Sequence, residues 1–296
     1  MAIKGIVLGR RCLLAGAGFT ILAGCAQIGG SKKNRAESQF ANIETQLGGR
    51  LGVTAINTEN SLRVSYRGGE RFAMCSTFKW VLAAAVLARV ERGEIALDQR
   101  ISYSQGDLLD FSPVSQAQLR EGSLTIGDMC AAVIEVSDNT AANLLLMLIG
   151  GPSSLTNYLR ELGDPVTRLD RNEPSLNTNL PGDLRDTTTP DAMVVTMNKI
   201  LVGDALSVDG RNRLIDWMKA SRTGLGRLRA GLPSDWIAGD KTGAGENGAA
   251  HDNAIAWPPG KAPILIAAYL SGSQASPEAR NAAHAEIGRI VAAAFT

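Results

Sequence analysis

The order of its predicted elements places this chain in the α+β class: an antiparallel sheet built from both chain ends with flanking helices, plus an all-helical inserted subdomain. Three observations carry that reading. Two segments rich in β-branched residues, 51–57 and 62–66, lie toward the N-terminal end and read as a strand pair. Three short, evenly spaced apolar segments, 236–241, 253–257 and 264–270, lie toward the other end. Between them the apolar residues recur at helical spacing. With 296 residues, 45% of them apolar, the chain can bury a real core, in one large domain or two interleaved ones.

Taken in order, the chain opens with a basic stretch (Lys4, Arg10, Arg11) and an apolar run from Cys12 to Ala23, diluted by Gly16 and Gly18. This reads as a secretory signal over 1–25. It is shorter and richer in glycine than the roughly 20 apolar residues of a membrane-spanning helix. Arg10-Arg11 suggests twin-arginine export, so a periplasmic location is expected. Leu22-Ala23-Gly24-Cys25 resembles a lipoprotein processing site, which would make Cys25 a lipid-anchored first residue; cleavage nearby without lipid is the other reading. Residues 26–37 read as a polar tether.

Phe40, Ile43 and Leu47 then mark an amphipathic helix over 38–47. After the strand pair, 75–90 is strongly helical and ends at Gly93. Thr125 caps a helix that runs through Glu135, and 139–149 and 153–162 are two more. Residues 171–186 hold two prolines, a glycine and no periodicity, so they form a loop longer than most in a compact domain. Thr189-Pro190-Asp191 opens a helix with a cap and a proline at its first position, and another helix covers 208–220. A last helix, 277–294, follows the C-terminal strands. The expected division is an α/β subdomain of 38–72 and 221–296 around a helical one of 73–220, with the active site between them.

Several chemistries drop out early. A formal charge of +1 gives no reason to expect nucleic acid or an acidic surface as partner. The two histidines, His251 and His284, fit neither a metal-ligand spacing nor a catalytic triad, so no metal and no cofactor is expected and both read as ordinary surface or core residues. The pattern from Gly243 to Gly248 matches a dinucleotide-binding fingerprint, but a strand follows it where that fingerprint needs a helix. Of four cysteines, Cys12 and Cys25 belong to the leader; Cys75 and Cys130 read as buried free thiols, although an exported protein can pair such residues.

What remains is a serine activated by something other than histidine. Ser76 and Lys79, in the sequence Ser76-Thr77-Phe78-Lys79, share one face at the start of a helix. The helix N-terminus favours an alkoxide and disfavours a second cation, which lowers the lysine toward a useful base. Ser76 also offers its own N–H to an oxyanion. In Ser137-Asp138-Asn139 the serine suits proton delivery to a leaving amine and Asn139 suits a substrate amide. In Lys241-Thr242-Gly243 the ammonium and hydroxyl suit a carboxylate, and the glycine lets a ligand lie against the strand. Taken singly, the last two are equally a helix cap and a strand-end turn.

All three in this order form the signature shared by class A β-lactamases and penicillin-binding proteins, and the chain resembles the class A β-lactamases over essentially all its mature length. The segment Arg171-Asn172-Glu173-Pro174-Ser175-Leu176-Asn177 resembles the omega loop of that family. The resemblance implies that Glu173 activates the deacylating water, that Asn177 helps to hold it, and that Arg171 and Asp186 brace the loop as an ion pair. It further implies that the Ala244 N–H completes the oxyanion hole. Phe111 matches an aromatic residue at the site mouth, with a plain core residue as the other reading. Many members carry an arginine where Ala250 stands here; Arg227 resembles an alternative arginine of other members. Some members bridge the cysteine before the nucleophile to a second one after the K-T-G motif, and here that second position is Gly245.

The implied reaction is attack of Ser76 on a β-lactam amide, with Lys79, or Glu173 through water, as base, followed by hydrolysis of the acyl-enzyme. Penicillins and cephalosporins are the expected substrates of a monomeric enzyme that confers resistance. Two rivals use the same first three motifs. A D-alanyl-D-alanine carboxypeptidase or transpeptidase would lack the Glu173 loop, and a β-lactam sensor would be expected to carry a membrane helix and a second domain.

Overall fold

A computed structural model of the chain describes residues 1–2 and 23–296, with residues 23–31 and 33 as backbone alone. Most of the proposed leader, including Lys4, Arg10, Arg11 and Cys12, lies outside the described residues, as does the Cys25 side chain. The chain begins with α1 (Ala23–Leu47), β1 (Arg50–Asn57), β2 (Arg63–Tyr66) and β3 (Phe72–Ala73). Then come α2 (Phe78–Glu91), β4 (Arg100–Ser102), α3 (Pro113–Ala117), β5 (Ser123–Thr125), α4 (Ile126–Glu135), α5 (Asn139–Ile149) and α6 (Pro152–Glu161). The rest is β6 (Thr187–Thr188), α7 (Pro190–Leu201), α8 (Val208–Lys219), α9 (Leu228–Gly231), β7 (Ile237–Ala244), β8 (Ala250–Trp257), β9 (Ile264–Ser271) and α10 (Pro277–Phe295).

One five-stranded antiparallel sheet, in the order β2-β1-β9-β8-β7, joins the two chain ends through β1 and β9, with Val53 opposite Ala268. Side chains alternate across it. Ile264, Ile266, Ala268 and Leu270 face one core with Leu51, Val53, Phe40, Ile287 and Val291. Leu265, Ala267 and Tyr269 face the other, which holds the α2, α4 and α5 side chains. Because both faces are covered, β8 and β9 are buried along nearly their whole length. Helix α2 is buried from Phe78 to Ala88, apolar all round apart from Lys79, and is the axis of the helical part. Caps lie where the sequence suggests: Thr125 accepts from the Asp128 N–H, Asp138 from Ala141 and Thr189 from Ala192; Ser276 caps the last helix in the same way, accepting from Ala279.

The structure corrects several local readings. The stretch read as a tether, 26–37, has helical backbone within α1. Strand β8 starts at Ala250, ahead of the apolar segment 253–257 and in keeping with the strand read after Gly248, and takes in the buried polar residues His251 and Asp252. Strand β7 continues through Lys241-Thr242-Gly243 to Ala244, so this motif lies within the strand and not at its end. The helical part also carries a short ribbon of β4 and β5, and β3 pairs with β6. Those strands, two or three residues long, are too short to show a period in sequence.

Helices α9 and α10 touch through glycine. A Cβ on Gly231 would fall 1.7 Å from the Ala285 carbonyl oxygen, and one on Gly288 would fall 2.4 Å from that of Leu228. We expect Gly231→Ala to cost about 1–3 kcal/mol, as overpacked sites do. The melting temperature followed by circular dichroism should fall by roughly 2–10 °C; an unchanged value would show that the two helices separate freely.

Candidate active site

Four segments meet at the open edge of β7. Ser76 lies in a 3-10 turn, Cys75–Thr77, that runs into α2. The turn is held by the Thr77 N–H and hydroxyl, both donating to the Met74 carbonyl (3.1 and 2.7 Å), and Cys75 takes a left-handed backbone (φ 45°). Strand β7 passes directly beside it. A Cβ on Gly243 would lie 2.8 Å from the Met74 oxygen and 3.2 Å from the Thr77 nitrogen. The space this glycine supplies is therefore taken by the nucleophile's own turn, not by a ligand as the sequence suggested.

Lys79, the second residue of α2 and about one turn beyond Ser76, is fully buried. Its Nζ donates to the Ser137 carbonyl (2.8 Å), the Asn139 Oδ1 (2.5 Å) and the Ser137 Oγ (3.3 Å), and stands 3.0 Å from Glu173 Oε1. Burial lowers its pKa below the ordinary lysine value, although the Glu173 carboxylate pulls the other way. Ser137 takes a left-handed backbone (φ 63°) and its hydroxyl sits between two ammonium groups, since Lys241 Nζ donates to it at 3.1 Å. Lys241 is also fully buried, and burial together with the Lys79 charge lowers its pKa well below the usual lysine range.

Glu173 enters from the loop 171–186. The Ser76 hydroxyl donates to its Oε1 at 3.3 Å and the Asn177 amide to its Oε2 at 2.5 Å. Its backbone is clamped by a residue that the sequence reading missed: the Asn143 side chain accepts from the Glu173 N–H (3.0 Å) and donates to its carbonyl (2.9 Å). The available signal was the four-residue step from Asn139 to Asn143, which places two amides on one face of α5. At the loop's base the buried Asp186 accepts from the Arg171 Nε (2.6 Å) and from the N–H groups of Asp170 and Arg171 (2.7 and 2.9 Å). The loop is also tied to the turn after β7, through the Glu246 N–H to the Asn177 carbonyl (2.9 Å) and the Asn179 amide to the Asn247 carbonyl (3.1 Å).

At the other end of the site, the Thr242 hydroxyl meets that of Thr223 (2.7 Å). Arg227 is anchored by Nη1 on the carbonyls of Gly243 (2.9 Å) and His251 (2.6 Å) and by Nε on Asn281 Oδ1 (2.9 Å). Ala244 is exposed at the end of β7, opposite Ala250. Phe111 is 84% exposed with φ 57°, which removes the reading of it as a core residue. Its carbonyl accepts from the Asn139 N–H (3.1 Å), and the Asn139 amide donates to the Asp110 carbonyl (2.9 Å). A Cβ on Gly245 would lie 2.8 Å from Cys75 Sγ; Cys75 and Cys130 are buried free thiols, and burial pushes both up. His251 and His284 are buried. The site therefore gathers a serine, a buried lysine and carboxylate, and a cluster of cations suited to an anionic substrate.

The chain matches the model of the beta-lactamase enzyme family over residues 35–295. It is similar to β-lactamase AST-1 of Nocardia asteroides, with 47% identity over 256 residues (86% of this chain, 82% of that protein). It is also similar to β-lactamase Toho-1 of Escherichia coli, with 42% identity covering 90% of this chain and 91% of that one. Among solved structures, the ancestral Gram-negative class A β-lactamase superposes with a TM-score of 0.86 at 54% identity, over 88% of this chain and all of that one. The putative class A β-lactamase PenP of Rhodopseudomonas palustris gives 0.86 at 46%, over 88% and 99%.

Asn143→Ala removes both clamps on the Glu173 backbone, at about 1 kcal/mol each. We expect kcat to fall by about tenfold, since each 1.4 kcal/mol of misplacement is a factor of ten in rate. Steady-state kinetics on a chromogenic cephalosporin would show it; a kcat equal to that of the parent would mean that the loop holds Glu173 without Asn143.

Proposed function

The chain belongs to the class A β-lactamases, enzymes that open the β-lactam amide through a serine acyl-enzyme, and on that premise we propose which of its side chains carry each step. Ser76 attacks the lactam carbonyl, and the backbone N–H groups of Ser76 and Ala244 receive the developing oxyanion. Lys79 Nζ and Glu173 Oε1 are the candidate acceptors of the serine proton. The direct Ser76–Glu173 contact at 3.3 Å supports the carboxylate route, and the burial that depresses Lys79 supports the lysine route. Ser137, between Lys79 and Lys241, passes a proton to the ring nitrogen as the C–N bond breaks. Glu173 with Asn177 then aims water at the ester. Asn139 orients the substrate amide, Phe111 borders the mouth, and Lys241, Thr242 and Arg227 hold the carboxylate that penicillins and cephalosporins carry.

The observation that carries this reading is the buried Glu173 carboxylate in contact with both Ser76 and Lys79. A transpeptidase keeps its acyl-enzyme by lacking such a base. We further propose that the protein acts as a monomer, is exported to the periplasm, and that Cys25 is its lipid attachment point. No helix among the described residues is long and apolar enough to cross a membrane.

The test is turnover of a chromogenic cephalosporin with intact-protein mass spectrometry. The parent should turn over many equivalents. Ser76→Ala should lose activity by about a thousandfold or more. Glu173→Ala should accumulate a covalent adduct, its deacylation slowed by roughly 10²–10⁴. A parent that halts after one equivalent with a stable adduct would assign the chain to non-hydrolytic β-lactam binding.

A further inference from the structure

Under the carboxylate end of the site lie two acids that the mechanism does not use. Asp240 on β7 and Asp252 on β8 are both 0% exposed. Thr242 pairs with Asp252 and Asp240 with Ala254, so the two acids share one face of the sheet with Thr242, as diagonal neighbours. The segment 221–229 closes over that face. Ser221 Oγ donates to Asp240 Oδ2 (3.3 Å), Arg229 Nη2 lies 2.5 Å from Asp240 Oδ1, and the Leu228 N–H donates to Asp252 Oδ2 (3.2 Å). This segment delivers Thr223 to Thr242 and Arg227 to the carbonyls of Gly243 and His251.

The charges around Asp252 are unevenly assigned. Arg229 is committed to Asp240, while Asp252 Oδ1 is buried with no hydrogen-bond partner among the described residues. A lone buried carboxylate beside a second one favours its protonated form. Burial and the Asp240 charge push Asp252 well above the ordinary carboxyl range, with Arg227 and Arg229 pulling less strongly in the other direction. From α10, Arg280 adds positive charge near Arg227, and His284 is held neutral, its pKa lowered to about 4 by burial. His251, the preceding residue of β8, is lowered well below the usual histidine value by burial. An ionised Asp252 would cancel Arg227 before substrate arrived; a neutral one leaves a whole guanidinium charge to offer.

We propose that Asp252 is a positioning residue for substrate-carboxylate recognition: as a neutral acid it pins Leu228, and through it Arg227, beside Thr242 and Gly243 without quenching the arginine. This rests on Arg227 being a carboxylate anchor, and it adds the group that places that anchor. Asp252 is buried, so it acts on substrate only through the groups it places, and its hydrogen bond runs to Leu228, the neighbour of Arg227.

Steady-state KM and kcat on a carboxylate-bearing cephalosporin decide this with Arg227→Ala, Asp252→Ala, Asp252→Asn and the double alanine variant. Arg227→Ala and Asp252→Ala should each raise KM by about tenfold and leave kcat within about threefold, the pattern of lost uniform binding. The double variant should be no worse than Arg227→Ala, because two residues acting through one contact are not additive. Asp252→Asn keeps the shape, the acceptor for Leu228 and the neutral charge, and should restore KM to within about twofold of the parent. Multiplicative effects in the double variant, or an Asn variant as impaired as the Ala one, would overturn the proposal while leaving Arg227 as an anchor. An Arg227→Ala variant with unchanged KM would remove the anchor itself and the proposal with it. Should Asp252→Ala not fold, Asp252→Asn decides alone: a tenfold rise in its KM overturns the neutral-acid role.

Discussion

Two opposite charges with no exposure to solvent, Lys79 and Glu173 at 3.0 Å, set the terms for the rest of the site. Taking both out of water costs several kcal/mol per ion, and their attraction offsets this only when every remaining donor and acceptor is satisfied. The surrounding residues read as the solution to that requirement. Lys79 fills its donors with Ser137 and Asn139. Glu173 takes the Asn177 amide and the Ser76 hydroxyl. Its backbone cannot drift because Asn143 holds both the N–H and the carbonyl. A mobile loop could not keep a carboxylate at such a place, which gives a physical reason for bracing the loop with the buried Asp186 and with ties to the turn after β7.

The same constraint accounts for strained backbone near the chemistry. Cys75, Phe111, Ser137 and Asp186 all take left-handed φ values, between 45° and 63°, although none is glycine. Each costs on the order of 1–3 kcal/mol and persists only where its surroundings over-determine it. Here those surroundings are the turn ahead of α2, the Asn139 bonds to the 110–111 backbone, the Lys79 bond to the Ser137 carbonyl, and the base of the loop.

Much of this was legible in sequence because it rests on local chemistry. Helices α4, α5 and α7 begin where Thr125, Asp138 and Thr189 cap them, and the buried strands of the sheet show as apolar runs. The three motifs and the Glu173 loop stand out because residue type and order are visible without coordinates. What stayed hidden depends on distant partners. That polar His251, Asp252 and Asn253 are fully buried is not visible until Tyr269 and Leu228 are seen around them. Asn143 looks like any helix-surface amide until the loop folds onto it. Gly243 reads from sequence as room for a ligand, because the approach of the Ser76 turn has no signature in spacing.

The pairing of β1 with β9 has a kinetic consequence. Leu51 faces Leu270 across the whole intervening chain, so the central strand pair is among the longest-range contacts the fold has to make. Contacts of such sequence separation carry a large closure entropy and tend to slow folding. Ser76 and Lys79 lie far N-terminal of β9, which links the β8–β7 pair carrying Lys241 to β1. Assembly of the hydrolytic site therefore waits on that long-range pairing, so Ser76 and Lys79 are completed by Lys241 only in chains whose sheet has closed around β9.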